Sequence, residues 1–151
     1  MVTTSSAKSD VRIKRGLAGL GLFAVKEFKK GEQIIEYTGE RITREEADKR
    51  GGKYLFEVTD SLVIDGKDRS NLSRYINHSC RPNAEAEHDE SEDRIYIIAK
   101  KKIKPGEEIT YHYGREYFKI MIKPYGCKCE HCSKGSVPEL DFSHFSGNFM
   151  T

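Results

Sequence analysis

Residues 70–83 read SNLSRYINHSCRPN, a segment unusually dense in side chains that form hydrogen bonds. A simple connection between two secondary-structure elements does not need so many of them. Asn, His, Ser and Cys occupy positions 77–80, just before Pro82. Because buried polar groups require hydrogen-bond partners, this pattern predicts an irregular, buried segment that other parts of the chain satisfy. By itself, His78 could be a core histidine, a metal ligand or a catalytic base.

Two other segments place tyrosines where strands end. Residues 106–114, GEEITYHYG, predict a strand on which Tyr111 and Tyr113 share one face. Upstream, the strand that leads into residues 36–40, EYTGE, ends at Tyr37. The phenols could be ordinary packing residues, or they could line a narrow polar slot.

A glycine motif lies near the start of the chain. Residues 19–24, GLGLFA, satisfy the G-x-G-x-x-A dinucleotide fingerprint, which requires a helix directly after it. The stretch before Gly31 is too short for that helix, so a nicotinamide cofactor is disfavoured. The two glycines still allow a ligand to approach the backbone closely, and the motif remains a candidate contact for another cofactor.

The four cysteines are unevenly placed: Cys80 stands alone, and Cys127, Cys129 and Cys132 fall within six residues. In a reducing compartment stable disulfides are rare, although three pairings could be drawn. A tetrahedral Zn²⁺ takes four thiolate ligands. The C-x-C-x-x-C cluster and the remote Cys80 together supply four. Alternatively all four are free thiols, or His131 or His88 replaces one ligand.

Length, charge and hydrophobicity disfavour several classes of function. The 151 residues fit one domain, and a net charge of +2 gives no strong electrostatic case for nucleic acid. No apolar run approaches the roughly 18 residues that span a bilayer, and the first residues lack a signal peptide. We therefore expect a cytoplasmic or nuclear protein with no membrane association and no direct nucleic-acid binding.

The pattern of short elements predicts a mainly β domain. Thr43 and Glu46 form a capping-box signal for one helix that ends at Gly51. Strand signals separated by turn residues occupy residues 11–15, 22–25, 33–37, 54–58, 62–65, 84–88, 94–100 and 108–113. Because most strands follow one another without a helix between them, a doubly wound parallel sheet is disfavoured.

Taken in order, these motifs resemble the SET-domain protein lysine methyltransferases. The resemblance covers residues 11–132 and rests on G-x-G, E-Y-x-G-E, Y-L-F-E, I-D, S-N-x-x-R-Y-I-N-H-S-C-x-P-N, G-E-E-I-T-Y-x-Y-G and the closing cysteine cluster. Each motif alone is weak, whereas the ordered set is specific. It is similar to a minimal arrangement, a SET domain followed by a post-SET cysteine cluster.

The resemblance implies the β-clip fold of the family, built of small curved sheets. In that fold the Asn77-His78 segment passes through a loop of the later chain as a C-terminal pseudoknot, which the rule against threading would not predict. It also implies a division into a disordered tail (1–8), the SET domain (9–118), a post-SET zinc segment (119–135) and a C-terminal tail (136–151).

The resemblance further implies the site residues. S-adenosylmethionine would contact Gly19, Leu20, Gly21, Tyr54, Arg74, Asn77, His78 and Tyr113. The target lysine would enter from the opposite face, through a channel lined by Tyr37, Tyr111 and Tyr113. Zn²⁺ would be held by Cys80, Cys127, Cys129 and Cys132.

The implied reaction transfers methyl to lysine by an in-line displacement, in which alignment of the reacting atoms is the main task of the enzyme. Aromatic walls disfavour the lysine ammonium by desolvation, so no dedicated general base is required. Tyr113 matches the catalytic tyrosine and Tyr37 would orient the amine. Tyr111 matches the position that controls methyl number, where a phenol favours monomethylation.

Two departures from the family pattern concern His112 and the cysteine spacing. His112 stands where Asp is most common, and strand alternation points it away from the tyrosines, so we expect little effect on the chemistry. Many relatives have four residues before the last Cys of the cluster, but some branches of the family use the shorter C-x-C-x-x-C spacing, so the zinc assignment stands.

The sequence therefore predicts a protein-lysine N-methyltransferase whose substrate is a histone or histone-like basic protein. Five acidic residues in residues 87–93 are compatible with such a partner. The rival interpretation is a catalytically silent, zinc-stabilised SET-like module that binds a peptide. A metal-dependent hydrolase is weaker, because four protein ligands would leave no zinc position open for water.

Overall fold

The computed structural model describes residues 8–16 and 18–113, and in this part of the chain the secondary structure is mainly β, as predicted. The strands are β1 (Val11–Gly16), β2 (Gly19–Ala24), β3 (Gln33–Tyr37), β4 (Glu40–Thr43), β5 (Leu55–Glu57), β6 (Leu62–Asp65), β7 (Asn77–His78), β8 (Ala84–Asp89), β9 (Arg94–Ala99) and β10 (Glu108–Tyr111). One helix, α1 (Arg44–Arg50), and two 3₁₀ turns, Lys8–Asp10 and Leu72–Tyr75, complete the described elements.

The strands form three small sheets. Their orders are β1-β2-β10-β7, β3-β9-β8 and β4-β6-β5. All pairs are antiparallel except β7 and β10, which run parallel. The small sheets agree with the fold class that the sequence predicts.

The main hydrophobic core lies where the first two sheets meet. Leu22 of β2, Ile97 of β9 and Ile109 of β10 are completely buried there, together with Phe28 and Ile103 from the connecting segments. Along β9, Ile95, Ile97 and Ala99 are buried at alternate positions, which is the period of a strand with one face in the core. Burial of these aliphatic side chains is the main source of stability.

Helix α1 begins and ends where the sequence predicts. The hydroxyl of Thr43 accepts a hydrogen bond of 3.1 Å from the backbone N–H of Glu46, and the helix ends at Gly51, which has a positive φ of 63°. Arg50 in its last turn forms ion pairs with Glu40 of β4 and with the buried Asp65 of β6. No helix among the residues described is long and apolar enough to cross a membrane.

Four strands differ clearly from the prediction. β2 begins at Gly19 and not at Leu22, because residues 19 and 20 pair with β1 in a tight hairpin. β10 ends at Tyr111, so Tyr113 lies beyond the strand. The sequence does not predict β4 or β7, since β4 is polar with one buried residue and β7 is only two residues long.

Strand β7 pairs the 70–83 segment with β10, near the end of the described chain. Asn77 lies opposite Thr110 and His78 opposite Tyr111 in the parallel β7–β10 pair. This pairing belongs to the predicted pseudoknot; the remainder of the pseudoknot, the post-SET segment and the two tails include residues outside the described ranges. The predicted division of the chain stays a prediction.

Candidate active site

Asn77 attaches the 70–83 segment to the glycine motif. Its Nδ2 donates to the carbonyl oxygen of Leu20 over 2.9 Å and to Oε2 of Glu108 over 2.8 Å. The amide therefore joins β2, β7 and β10 at one point. The predicted cofactor residues Leu20 and Asn77 are in contact.

His78 is buried and joined to Tyr113. The backbone N–H of Tyr113 donates to Nδ1 of His78 over 3.1 Å. Because Nδ1 accepts, a neutral ring carries its proton on Nε2, which lies 3.6 Å from Sγ of Cys80. Burial, with a smaller contribution from His112, lowers the pKa of His78 to about 4. The ring is thus neutral near pH 7.

The three predicted channel tyrosines are close together. The rings of Tyr111 and Tyr113 meet edge to face, with centroids 5.3 Å apart, and the Tyr113 ring lies 5.4 Å from that of His78. Tyr37 is near enough to Tyr113 for the two phenols to interact electrostatically. Tyr37 and Tyr111 are buried and Tyr113 is half-buried.

Two of the three phenols donate to backbone carbonyls. The hydroxyl of Tyr37 donates to the carbonyl oxygen of Tyr54 over 2.8 Å, and that of Tyr113 donates to Ile76 over 2.6 Å. Burial, and next the neighbouring Tyr113, raise the pKa of Tyr37 well above its ordinary value. Tyr37 therefore stays a neutral phenol, with its proton directed at the backbone and its oxygen able to accept.

The polar segment has the buried environment that its sequence predicts. Asn71 and Ser73 are each 1% exposed. Ser73 donates to the carbonyl oxygen of Glu36, and Asn83 exchanges two hydrogen bonds with the backbone of β10. The prediction that other parts of the chain satisfy this segment is confirmed for Asn71, Ser73 and Asn83.

A model of the SET domain family matches residues 19–114, from the glycine motif to just beyond Tyr113. The chain belongs to the SET domain family. The resemblance to the SET domain is thereby confirmed, and the Asn-His segment and the tyrosines described above lie within the matched residues. The post-SET cysteine cluster stays a prediction.

Two curated relatives share the matched region. Human "Histone-lysine N-methyltransferase 2D" is 37% identical over 139 residues, which are 84% of this chain and 2% of that protein. "Histone-lysine N-methyltransferase, H3 lysine-4 specific" of Schizosaccharomyces pombe is 39% identical over 105 residues, which are 62% of this chain and 11% of that protein. The chain spans only a small part of the length of either relative.

A solved structure shares the SET-domain fold. A chain in the structure of "Apo ctPRC2 in an autoinhibited state" superposes with a TM-score of 0.62 and is 34% identical. The match covers 69% of this chain and 15% of that chain. This likeness agrees with the family assignment and with the small sheets described above.

The two glycines of the SET-domain motif are needed for different reasons. Gly19 has a positive φ of 100°, and a Cβ there would meet no atom within 4 Å. A Cβ on Gly21 would collide with the carboxylate of Glu108 and lie 3.1 Å from Nδ2 of Asn77. The space at Gly21 thus admits two side chains of the protein, whereas Gly19 provides a turn conformation next to open space.

Arg74 offers an independent test of whether the site suits S-adenosylmethionine. Its guanidinium carbon lies 4.4 Å from the ring centroid of Tyr54 and 4.9 Å from that of Tyr75. Its Nε is buried and has no hydrogen-bond partner in the described part of the chain. A buried charged donor without an acceptor is costly, so an anionic ligand group such as a carboxylate fits this position. The position of Arg74 therefore fits the carboxylate of an amino-acid cofactor.

Sequence reasoning missed two residues that shape the site. Glu108 accepts from Asn77, although the sequence identifies it only as a strand residue. His112 lies just beyond the end of β10, and its ring centroid lies 4.5 Å from that of His78. His112 therefore affects a predicted cofactor residue, which strand alternation alone does not reveal.

One of the four predicted zinc ligands, Cys80, lies in the described part of the chain. Cys80 is half-buried beside His78, and Cys127, Cys129 and Cys132 lie outside the described residues. Within residues 8–16 and 18–113, no three His, Cys, Asp or Glu residues form a group that could hold a metal ion. The alternative ligand His88 contacts Asp93 instead, over 2.8 Å.

Proposed function

We propose that this chain transfers a methyl group from S-adenosylmethionine to the side chain of a protein lysine. The observation that carries the proposal is the parallel β7–β10 pair, which brings Asn77 and His78 beside Tyr111 and Tyr113. The names of the relatives, which are histone-lysine N-methyltransferases, support the same reaction.

The cofactor would be held on one side of this arrangement. The residues proposed for this role are Gly19, Leu20, Gly21, Tyr54, Arg74, Asn77, His78 and Tyr113. When bound, S-adenosylmethionine would supply an electrophilic methyl group. The Nε of Arg74, which is buried without a hydrogen-bond partner among the described residues, supports the presence of an anionic group near Tyr54.

The tyrosines would prepare the lysine. Tyr37 and Tyr111 are buried, so an ammonium between them would lose most of its hydration and the pKa of the amine would fall. Because the protons of Tyr37 and Tyr113 are directed at backbone carbonyls, their oxygens could accept from the amine and fix its orientation. Because the pKa of Tyr37 is strongly raised, its hydroxyl is already protonated at neutral pH and cannot take a proton from the lysine. We therefore assign Tyr37 an orienting role.

We further propose a histone or histone-like basic protein as the substrate, which would place the protein in the nucleus of a cell that has one. The tip of the β8–β9 hairpin carries Asp89, Glu90 and Glu92, whose charges are suited to a basic tail. The phenol of Tyr111 beside Tyr113 supports monomethyl-lysine as the main product. A water held by this hydroxyl would occupy the space that a first methyl group must enter.

We also propose one structural Zn²⁺ per chain, held by Cys80, Cys127, Cys129 and Cys132. Four thiolates form a closed tetrahedral site, which suits a structural and not a catalytic metal. Such a site would tie the 70–83 segment, through Cys80, to the C-terminal cysteine cluster.

The experiment that tests the proposed function separates transfer from binding. Purified protein is incubated with a histone mixture and S-adenosylmethionine carrying a deuterated methyl group, and the products are digested and analysed by mass spectrometry. We expect the labelled methyl on lysine Nζ. Calorimetry with S-adenosylhomocysteine and a histone-tail peptide supplies the control: binding of the peptide without any transfer would favour the silent module.

A further inference from the structure

Two lysine-bearing segments form a short antiparallel ribbon outside the active site. Phe28 and Ile103 exchange two backbone hydrogen bonds of 2.8 Å, and the N–H of Gly31 donates to the carbonyl oxygen of Ala99 over 2.8 Å. Residues 28–32 therefore run beside residues 99–103. We call residues 26–32 and 99–107 together the lysine ribbon.

The lysine ribbon is strongly basic at its surface. Seven lysines and three glutamates occur in its two segments. Six of the lysines are exposed and form no ion pair within the described chain; they are Lys29, Lys30, Lys100, Lys101, Lys102 and Lys104. The seventh, Lys26, is paired with Glu32 over 2.8 Å.

The net charge of the chain is small because this basic surface is offset by an acidic region elsewhere. Strand β9 begins at Arg94, next to the acidic turn, and ends at Ala99, next to the lysines. At about 3.4 Å per residue, the two oppositely charged regions are separated by roughly 17 Å along this strand. A net charge of +2 therefore describes two local fields of opposite sign, not a weakly charged surface.

The ribbon offers charge without apolar anchors. Its large apolar side chains, Phe28 and Ile103, are completely buried. Protein–protein interfaces depend on exposed aromatic, aliphatic or arginine anchors that fill pockets on the partner. Lysines are flexible point charges and suit contacts with phosphate groups that need no fixed geometry.

We propose that the lysine ribbon binds the phosphate backbone of double-stranded DNA without sequence preference. Residues 100–104 span at most roughly 14 Å, the distance over which one DNA strand presents about four phosphates. The ribbon is separate from the residues assigned to methyl transfer. The proposal is therefore independent of the proposed function, and either can fail alone.

The alternative is that these lysines only keep a sheet edge from pairing with another chain. The test measures binding of the full-length protein to a fluorescein-labelled duplex of 20 base pairs by anisotropy, between 50 and 200 mM salt. With about four phosphates neutralised, we expect the dissociation constant to rise about 100-fold over this range. Absence of salt-dependent binding would overturn the proposal.

Charge-matched variants locate the binding surface. Lys29→Gln/Lys30→Gln and Lys101→Gln/Lys102→Gln each remove two charges from one segment of the ribbon. Each should reduce the slope of log affinity against log salt by about two. The control, Lys49→Gln/Lys67→Gln, removes two exposed charges from helix α1 and the loop after β6, and should leave the slope unchanged. Equal effects of all three variants would refute the assignment.

A competition experiment separates DNA from acidic proteins. Unlabelled duplex should displace the labelled duplex, and polyglutamate at the same concentration of charge should do so at least tenfold less well. If polyglutamate competes as well as DNA, the ribbon is a general site for acidic chains and the proposal is wrong. Circular dichroism of every variant confirms that the fold is retained.

Discussion

The hydroxyl of Tyr113 donates a 2.6 Å hydrogen bond to the carbonyl oxygen of Ile76. The backbone N–H of the same tyrosine donates to His78, so Tyr113 is held by both residues that flank Asn77. A tyrosine fixed from two sides has little freedom to leave the site. Its phenol oxygen is thereby presented in one orientation, as expected of a group that acts through position.

Replacement of Tyr113 by Phe should lower kcat roughly 100-fold, because preorganised polar groups in an active site typically contribute this much. The lost hydrogen bond to a half-buried group should cost only about 1 kcal/mol of stability. Mass spectrometry of methylated peptide gives kcat, and calorimetry should find nearly unchanged cofactor binding. The matched control is Tyr96→Phe on β9, where we expect normal turnover. Unchanged turnover in Tyr113→Phe would remove this residue from the catalytic role.

Replacement of Tyr111 by Phe should shift the product from monomethyl-lysine toward di- or trimethyl-lysine. The methylated amine must rotate before a second transfer, and the Tyr111 hydroxyl would hold a water in the space required. Release of that water changes the second step by up to about 2 kcal/mol, which is more than tenfold in rate. Time-resolved mass spectrometry of a substrate peptide measures the distribution. Trimethyl-lysine already accumulating in the wild type would contradict the assignment.

Local sequence signals account for the elements that were predicted well. Helix α1 is specified by its own Thr43 and Gly51, and strand β6 (Leu62–Asp65) by a short apolar run between turn residues. Strand β7 is different, because its two residues become a strand only through Thr110 and Tyr111, more than thirty positions later. No local pattern specifies such a partner.

The same distinction applies to the site. The tyrosines and the Asn-His pair are recognisable from the order of the motifs. The role of Glu108 depends on the register of β10 against β2, which places it opposite Phe23 and brings its carboxylate to Gly21. The lysine ribbon likewise requires the pairing of Phe28 with Ile103. Contacts that depend on the pairing of strands distant in sequence therefore cannot be predicted from the sequence alone.

Removal of zinc should destabilise the protein and impair the site. We expect one Zn²⁺ per chain, and we expect Cys80→Ser to lower the zinc content as much as Cys129→Ser does. Because binding of a structural zinc contributes directly to folding, a strong chelator should lower the Tm. Elemental analysis and thermal unfolding measure both effects. Metal-free protein with an unchanged Tm and full activity in chelator would refute the zinc site.

The last prediction concerns Asn71, which supports the strand end that carries Tyr37. The side chain of Asn71 is completely buried, donates to the carbonyl oxygen of Gly66 over 3.0 Å and accepts from the N–H of Thr38 over 3.1 Å. Gly66 in turn lies against the Tyr37 ring, since a Cβ there would be 2.5 Å from Cε1 of that ring. Asn71 therefore connects Thr38, which follows Tyr37 in the chain, with Gly66, which packs against the Tyr37 ring.

Replacement of Asn71 by Ala should lower the free energy of unfolding by about 2–4 kcal/mol, because it removes the partners of the buried Gly66 carbonyl and of the Thr38 N–H and creates a small cavity. Tyr37 should also lose its fixed position, so kcat should fall even at temperatures where the variant is fully folded. Urea unfolding measures the first effect, and kcat measured well below the Tm measures the second. Arg69→Ala, which changes an exposed side chain two residues away, is the matched control and should alter neither quantity. If Asn71→Ala is less stable but keeps the kcat of the wild type, Asn71 supports the fold and does not position Tyr37.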